Sequence, residues 1–169
     1  MAGMTAAIAS GGTRYKPIIM ESIKTPDGRV LYQSEPQVIG KVPVSERTLG
    51  LLKTGLWAVV NSDHGTARGS RLADIEISGK TGTSQVISRK KDDTRSEEER
   101  PAHLRPHAWF VAYAPSENPV IAVAVLIEHG EHGSSAAAPV ARELIKTYLR
   151  KSLGADHVAR DGADNDNSG

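Results

Sequence analysis

Lys80 is framed by Gly79 and by Thr81-Gly82-Thr83, in a segment reading Ile75-Glu76-Ile77-Ser78-Gly79-Lys80-Thr81-Gly82-Thr83-Ser84-Gln85-Val86. A lysine among glycines and hydroxyls can cradle a phosphate, hold a carboxylate, or simply sit in a bulged strand. A phosphate loop needs a glycine six residues before its lysine, and that position is Asp74. It also needs a helix to follow, so that helix amides face the anion; Ser84-Gln85-Val86-Ile87 instead continues as strand. Glycines that only permit a bulge remain an adequate reading of Lys-Thr-Gly taken alone. The chemical reading is anion binding. Lys80 supplies a positive charge, Thr81 and Thr83 supply hydroxyl donors, and together they suit a carboxylate. Gly82 has no side chain and leaves room for an extended peptide to lie along the strand as an added strand.

The surrounding elements must hold that segment in place. "MAGMTAAIASGG" reads as the last turns of a helix stopped by Gly11-Gly12. Strands are expected over Tyr15 to Ile23 and Val30 to Tyr32, joined by the turn Thr25-Pro26-Asp27-Gly28, with a further extended piece from Gln37 to Val42. Ser45 caps a helix on which Leu49, Leu52, Leu56 and Val59/Val60 recur at helical spacing, with Trp57 expected to pack beside them. After the break at Asn61 to Gly69 comes the Lys80 strand, Ile75 to Ile87, followed by a charged loop from Ser88 to Arg105. "HAWFVAYAP" (His107 to Pro115) and "NPVIAVAVLIEHG" (Asn118 to Gly130) form an antiparallel hairpin, with Trp109 and Tyr113 on one face as core. The final helix spans Ser134 to Arg150, with Val140, Leu144, Ile145, Tyr148 and Leu149 on one side. The expectation is an α/β chain of α+β type, a mostly antiparallel sheet flanked by helices over residues 1–151, with a disordered polar tail at 152–169.

Bulk composition narrows the classes. The 169 residues suffice for one core, and 21 Lys plus Arg against 20 acidic residues create no global field for nucleic acid or anionic lipid. Cysteine is absent, which removes disulfides, thiolate catalysis and cysteine zinc sites. The sequence has no signal peptide and no apolar run approaching the roughly 20 residues of a membrane span.

Lys-Thr-Gly-Thr on an edge strand, followed by a hairpin and a final helix, resembles the third motif of the serine acyl-enzyme superfamily of penicillin-binding proteins and serine β-lactamases. Several further segments, in the same chain order, are similar to class B penicillin-binding proteins of the elongation type (penicillin-binding protein 2). They are "MAGMTAAIASGGTRYKP", Gly65-Thr66-Ala67 after a helix, "GKTGTSQV", "AWFVAYAP…NPVIAVAVLIEHG" and "SSAAAPVARELI". The resemblance covers residues 1–150. It implies the C-terminal part of a peptidoglycan D,D-transpeptidase domain, a partial fold of that superfamily. The implied ligands are a stem peptide ending in D-alanyl-D-alanine and β-lactams, with Lys80, Thr81, Gly82 and Thr83 binding them. It also implies that the backbone N–H of Thr83 donates to the oxyanion. No metal and no cofactor are implied. For the full-length protein it implies a membrane anchor, an extracytoplasmic domain and other wall-synthesis membrane proteins as partners.

The same resemblance demands a Ser-x-x-Lys nucleophile and a Ser-x-Asn loop before the Lys-Thr-Gly. Ser88-Arg89-Lys90-Lys91 and Ser116-Glu117-Asn118 fit those patterns but follow Lys80. The first lies in a charge run without an apolar helix face, the second in a hairpin turn, so neither is expected to act. The nucleophile is therefore expected upstream of Met1. The alternative is a non-catalytic fragment or recognition module that binds through exposed sheet edges. His129-Gly130-Glu131-His132 could ligate a metal, but reads better as a solvated loop. His103 and His107 are separated by Pro106, and His64 follows a helix end. The run Arg89 to Arg100 reads as a solvated flap.

Overall fold

In the computed structural model, which describes residues 1–86 and 101–163, the elements follow in a helix–strand–helix–strand–helix order. They are α1 (Ala2–Ala9), β1 (Thr13–Tyr15), β2 (Ser22–Lys24), β3 (Val30–Gln33), β4 (Val38–Lys41), α2 (Glu46–Asn61), β5 (Ser78–Ser84), β6 (His107–Ala114), β7 (Ile121–Ile127) and α3 (Ala138–Ala163). Aromatic residues and Val111 interspersed with alanines suit β6 to the centre of an antiparallel sheet ordered β5-β6-β7. Lys80 stands opposite Val111, Gly82 opposite Trp109, and Phe110 opposite Val125.

That register sorts the side chains. Ala108, Phe110, Ala112 and Ala114 point to one face, where Ala138, Ala141, Ile145 and Leu149 of α3 cover them. Small residues on both partners let helix and sheet approach closely, and Phe110 is 1% exposed. Burial of a side chain such as Phe110 or Ile145 contributes about 1.5–3 kcal/mol. Trp109, Val111 and Tyr113 point to the other face, toward α1. Tyr113 is buried there, as expected of a core residue, whereas Trp109 is half-buried. α2 packs beside β5, and Asn61 Nδ2 donates to the Ile77 carbonyl at 2.8 Å just before the strand begins. Lys53 of α2 donates to the Ala9 carbonyl at 2.9 Å, placing a cation at the C-terminal end of α1. α1 itself ends on Gly11 and Gly12, both at positive φ.

Several elements differ from the sequence reading. The strand expected over Tyr15 to Ile23 is split. Pro17 cannot donate to a ladder, so β1 pairs with β4, and β2 separately with β3 across the Thr25–Gly28 turn. β7 begins at Ile121, not Asn118, because Pro119 lies in the turn region. The final helix is entered through a wide π turn over Gly133–Ala137 and runs to Ala163, past its expected end at Arg150. The backbone over 152–163 continues as helix within the stretch expected as a disordered tail.

Ser45 does cap α2, its hydroxyl accepting from Thr48 N at 3.2 Å. The apolar stripes of both long helices are nevertheless wider than the faces the sheet covers. On α2 only Leu49 and Val60 are buried, while Leu52 is exposed and Trp57, expected in the packing, is 37% exposed. On α3, Val140, Leu144 and Tyr148 stay exposed beside buried Ile145 and Leu149. No helix among the described residues is long and apolar enough to cross a membrane. Ser88 and the charge run Arg89 to Arg100 lie outside the described residues.

Candidate active site

β5 is an edge strand among the described residues, and its backbone has one paired and one unpaired side. The paired side is fixed at Gly82. A methyl group on nearby Gly133 would collide with the Trp109 carbonyl and lie 2.8 Å from Gly82 O and 3.1 Å from Gly82 N. The backbone groups of Gly82 and Trp109 therefore face each other as a hydrogen-bonded pair. Antiparallel alternation then turns the N–H and C=O of Thr81 and Thr83 outward, onto the free edge. Lys80 Nζ donates to the Thr81 carbonyl at 2.7 Å, which places its charge along that edge.

The hydroxyls divide the edge between them. Thr66 Oγ1 lies 3.3 Å from Thr81 Oγ1, beside the Lys80 ammonium, itself 3.4 Å from Thr81 Oγ1. Thr66 reaches this position because Gly65 turns hard against the end of α2. A Cβ at Gly65 would lie 2.7 Å from the Ala58 carbonyl and closer still to that of Val59. Ala67 N donates to the Val59 carbonyl at 2.9 Å and completes the turn. The two hydroxyls and the Lys80 ammonium, which has no acidic partner within salt-bridge distance among the described residues, form a compact polar corner able to donate to an anion. Thr83 is differently engaged: its hydroxyl donates to the Glu131 carbonyl at 3.3 Å, while its outward amide remains on the edge.

On the α1 face, Ser78, Lys80 and Gly82 join Trp109, Val111, Tyr113 and Met4 around a cavity of about 220 Å³. Tyr113 is 1% exposed, and among the described residues its hydroxyl has no hydrogen-bond partner within normal geometry. Burial pushes the Tyr113 phenol above its ordinary value, and the neighbouring Ser78 hydroxyl opposes that shift. Ser78 Oγ itself donates to Ser116 Oγ at 2.9 Å, and Ser116 N donates to the Glu76 carbonyl. Ser116 is thus anchored at the turn end of the hairpin through Ser78, which stands opposite Tyr113, with Lys80 two residues further along β5. That is the place expected of a turn residue.

Thr66 beside Lys80, and the Arg105–Glu131 pair behind Thr83, are contacts that sequence reasoning did not place. Gly65-Thr66-Ala67 stands in the sequence as a motif without a role, because only the fold brings it to Thr81. The loop from His129 to His132 differs from its solvated expectation. His129 N donates to His107 Nδ1 at 3.0 Å, and Glu131 Oε1 pairs with Arg105 at 2.9 Å. No periodicity foretells such a contact.

A helix-backed antiparallel sheet with a lysine-threonine-glycine edge and a facing threonine has the arrangement of a serine acyl-enzyme domain. Residues 1–146 match the family model described as the penicillin binding protein transpeptidase domain, and the chain belongs to that family. It is 34% identical over 160 residues to the peptidoglycan D,D-transpeptidase MrdA of Haemophilus influenzae, covering 90% of this chain and 24% of the relative. A solved structure of penicillin-binding protein A from M. tuberculosis, a ceftriaxone acyl-enzyme complex, is 29% identical with a TM-score of 0.66; the match covers 86% of this chain and 30% of that one. Penicillin-binding protein 2 in a complex with MreC from Helicobacter pylori is 26% identical with a TM-score of 0.65, covering 90% of this chain and 24% of that one. The chain thus spans about a quarter of the length of the relatives it matches.

Proposed function

We propose that the chain supplies the substrate-binding edge of a peptidoglycan D,D-transpeptidase. The observation that carries this reading is the unpaired side of β5, where the outward backbone of Thr81 and Thr83 meets the Lys80, Thr81 and Thr66 corner. An extended stem peptide can add to that edge as a further strand. Its terminal D-alanine carboxylate, or that of a β-lactam, then sits against the Lys80 ammonium and the two threonine hydroxyls.

A serine outside this chain attacks the carbonyl carbon between the two D-alanines. Its proton passes to a base, the carbonyl oxygen becomes an oxyanion, and the outward Thr83 N–H is one of its donors. Losing such a donor typically costs about 2.7–4 kcal/mol of transition-state stabilisation. Collapse expels D-alanine and leaves an ester, and an amine of a neighbouring stem peptide displaces the serine to form the cross-link. In this reading Ser88 and Ser116 play no part.

The full-length protein is anchored in the cytoplasmic membrane, presents this domain outside it and works with other wall-synthesis membrane proteins. The support for those partners is the relative solved with MreC. Labelling the full-length protein with a fluorescent penicillin tests the activity. A covalent adduct that competes with excess unlabelled β-lactam is expected, and Lys80→Ala should lower its rate of formation. An adduct rate indifferent to Lys80 would overturn the assigned edge.

A further inference from the structure

The turn between β7 and α3 is built to an unusual backbone. His129 and Glu131 both have positive φ, at 56° and 63°, although neither is glycine. Each residue held there costs on the order of 1 kcal/mol or more, and it persists only where its surroundings over-determine it. Here they do. His129 N donates to His107 Nδ1, and the His129 Nδ1 atom lies 3.1 Å from the Arg105 carbonyl. The two imidazoles meet at a tilt of 55°, 4.8 Å between ring centres. Glu131 N donates to the Pro106 carbonyl at 2.9 Å, and its half-buried carboxylate takes the Arg105 guanidinium at 2.9 Å.

Two features carry this turn onto β5. The Glu131 carbonyl, fixed by that residue's left-handed backbone, accepts the Thr83 hydroxyl proton. Two residues further on, Gly133 lies flat on the Gly82–Trp109 backbone, with no room for a side chain. The stretch clamped in this way is the one whose outward amides form the free edge; Glu131 reaches it only through the Thr83 hydroxyl, and its carboxylate pairs with Arg105.

We infer that Glu131, held by Arg105, is a positioning residue for acyl transfer: it sets the Glu131 carbonyl against Thr83 and thereby the direction of the Thr83 amide. The inference rests on the transpeptidase reading above and assigns the turn to that same site. Releasing the Glu131 carboxylate lets the strained turn relax toward ordinary φ values and withdraws the carbonyl from the Thr83 hydroxyl. The end of β5 then gains freedom where the oxyanion amide must be aimed, while Lys80, Thr81 and Thr66 still hold the carboxylate.

The test uses full-length protein and a fluorescent penicillin, with stopped-flow kinetics separating the initial dissociation constant from the acylation rate constant. Glu131→Gln is expected to lower the acylation constant of the labelled fraction roughly tenfold, as a small misalignment of a catalytic group does, and to leave the dissociation constant within about twofold. A merely structural role would lower the melting temperature and the labelled fraction without changing the acylation constant of what remains. That result, or a parallel loss in both constants, overturns the inference. Hydrogen–deuterium exchange of a peptide spanning residues 80–86 is the second measurement, and faster exchange in Glu131→Gln is expected. Unchanged exchange also overturns the clamp. If the wild type forms no adduct, the transpeptidase reading fails, and exchange alone decides whether Glu131 holds β5. Should Glu131→Gln not fold, Arg105→Lys, which keeps the charge but loses the planar fork, gives the same readouts.

Discussion

Thr66 and Thr81 place their hydroxyl oxygens 3.3 Å apart, one from the turn after α2 and the other from the edge of β5. Thr66 is exposed and Thr81 half-buried, both beside Lys80. An exposed and a half-buried threonine brought together by the tight turn at Gly65 fit the proposed carboxylate site. In full-length protein, Thr66→Val should slow acylation by a carboxylate-bearing β-lactam roughly three- to tenfold, the value of a single neutral hydrogen bond. Its melting temperature should stay within a degree or so of wild type. Unchanged acylation kinetics would remove Thr66 from the site.

Lys80 carries more of the same interaction because its hydrogen bond is charge-assisted. Lys80→Met should cost about 1.5–3 kcal/mol, or roughly ten- to a hundredfold in acylation efficiency. Added salt should weaken the wild type's initial binding and leave the variant's almost unaffected. Equal salt dependence in both would show that the ammonium does not meet the ligand's charge.

Glycines offer a control on packing. Gly133→Ala would drive a methyl group into the Trp109 carbonyl and against Gly82, and a loss of at least about 1–3 kcal/mol is expected from such overpacking. Gly55, in the middle of α2, has nothing within 4 Å of the position its Cβ would take. Gly55→Ala should therefore stabilise by about 0.5–1 kcal/mol through helix propensity. Thermal or urea melts of the two variants should move in opposite directions.

Tyr113 links burial to alkaline stability. Its phenol titrates above the ordinary tyrosine value because burial disfavours the phenolate. The folded state thus holds the proton more tightly than the unfolded one. The associated stability is complete below the unfolded value near 10 and is lost as pH rises from there through the folded value. Tyr113→Phe should flatten the fall in stability above about pH 10. A profile that falls as steeply without the hydroxyl would assign the alkaline loss to other groups.

The parts of the fold set by local pattern could be read from the chain. The hairpin from His107 follows from its valines and aromatics and the start of α2 from Ser45, while the Lys80 strand, expected over Ile75 to Ile87, is shorter and covers Ser78–Ser84. What escaped depends on contacts between distant segments. Thr66 finds Thr81, and Arg105 finds Glu131, only after β5, β6 and β7 have paired. Likewise, hydropathy marks Leu52, Trp57, Leu144 and Tyr148 as apolar but does not say whether the chain itself covers them. All four remain exposed.

On the proposed function this chain forms one wall of an acyl-transfer site whose nucleophile lies outside it. Fluorescent penicillin applied to the isolated 169-residue chain and to full-length protein, followed by peptide mapping of the adduct, tests this most directly. The account predicts no stoichiometric adduct on the isolated chain, and a single modified serine outside it in the full-length protein. A stoichiometric acyl adduct on Ser88, Ser116 or any other serine of this chain would contradict it.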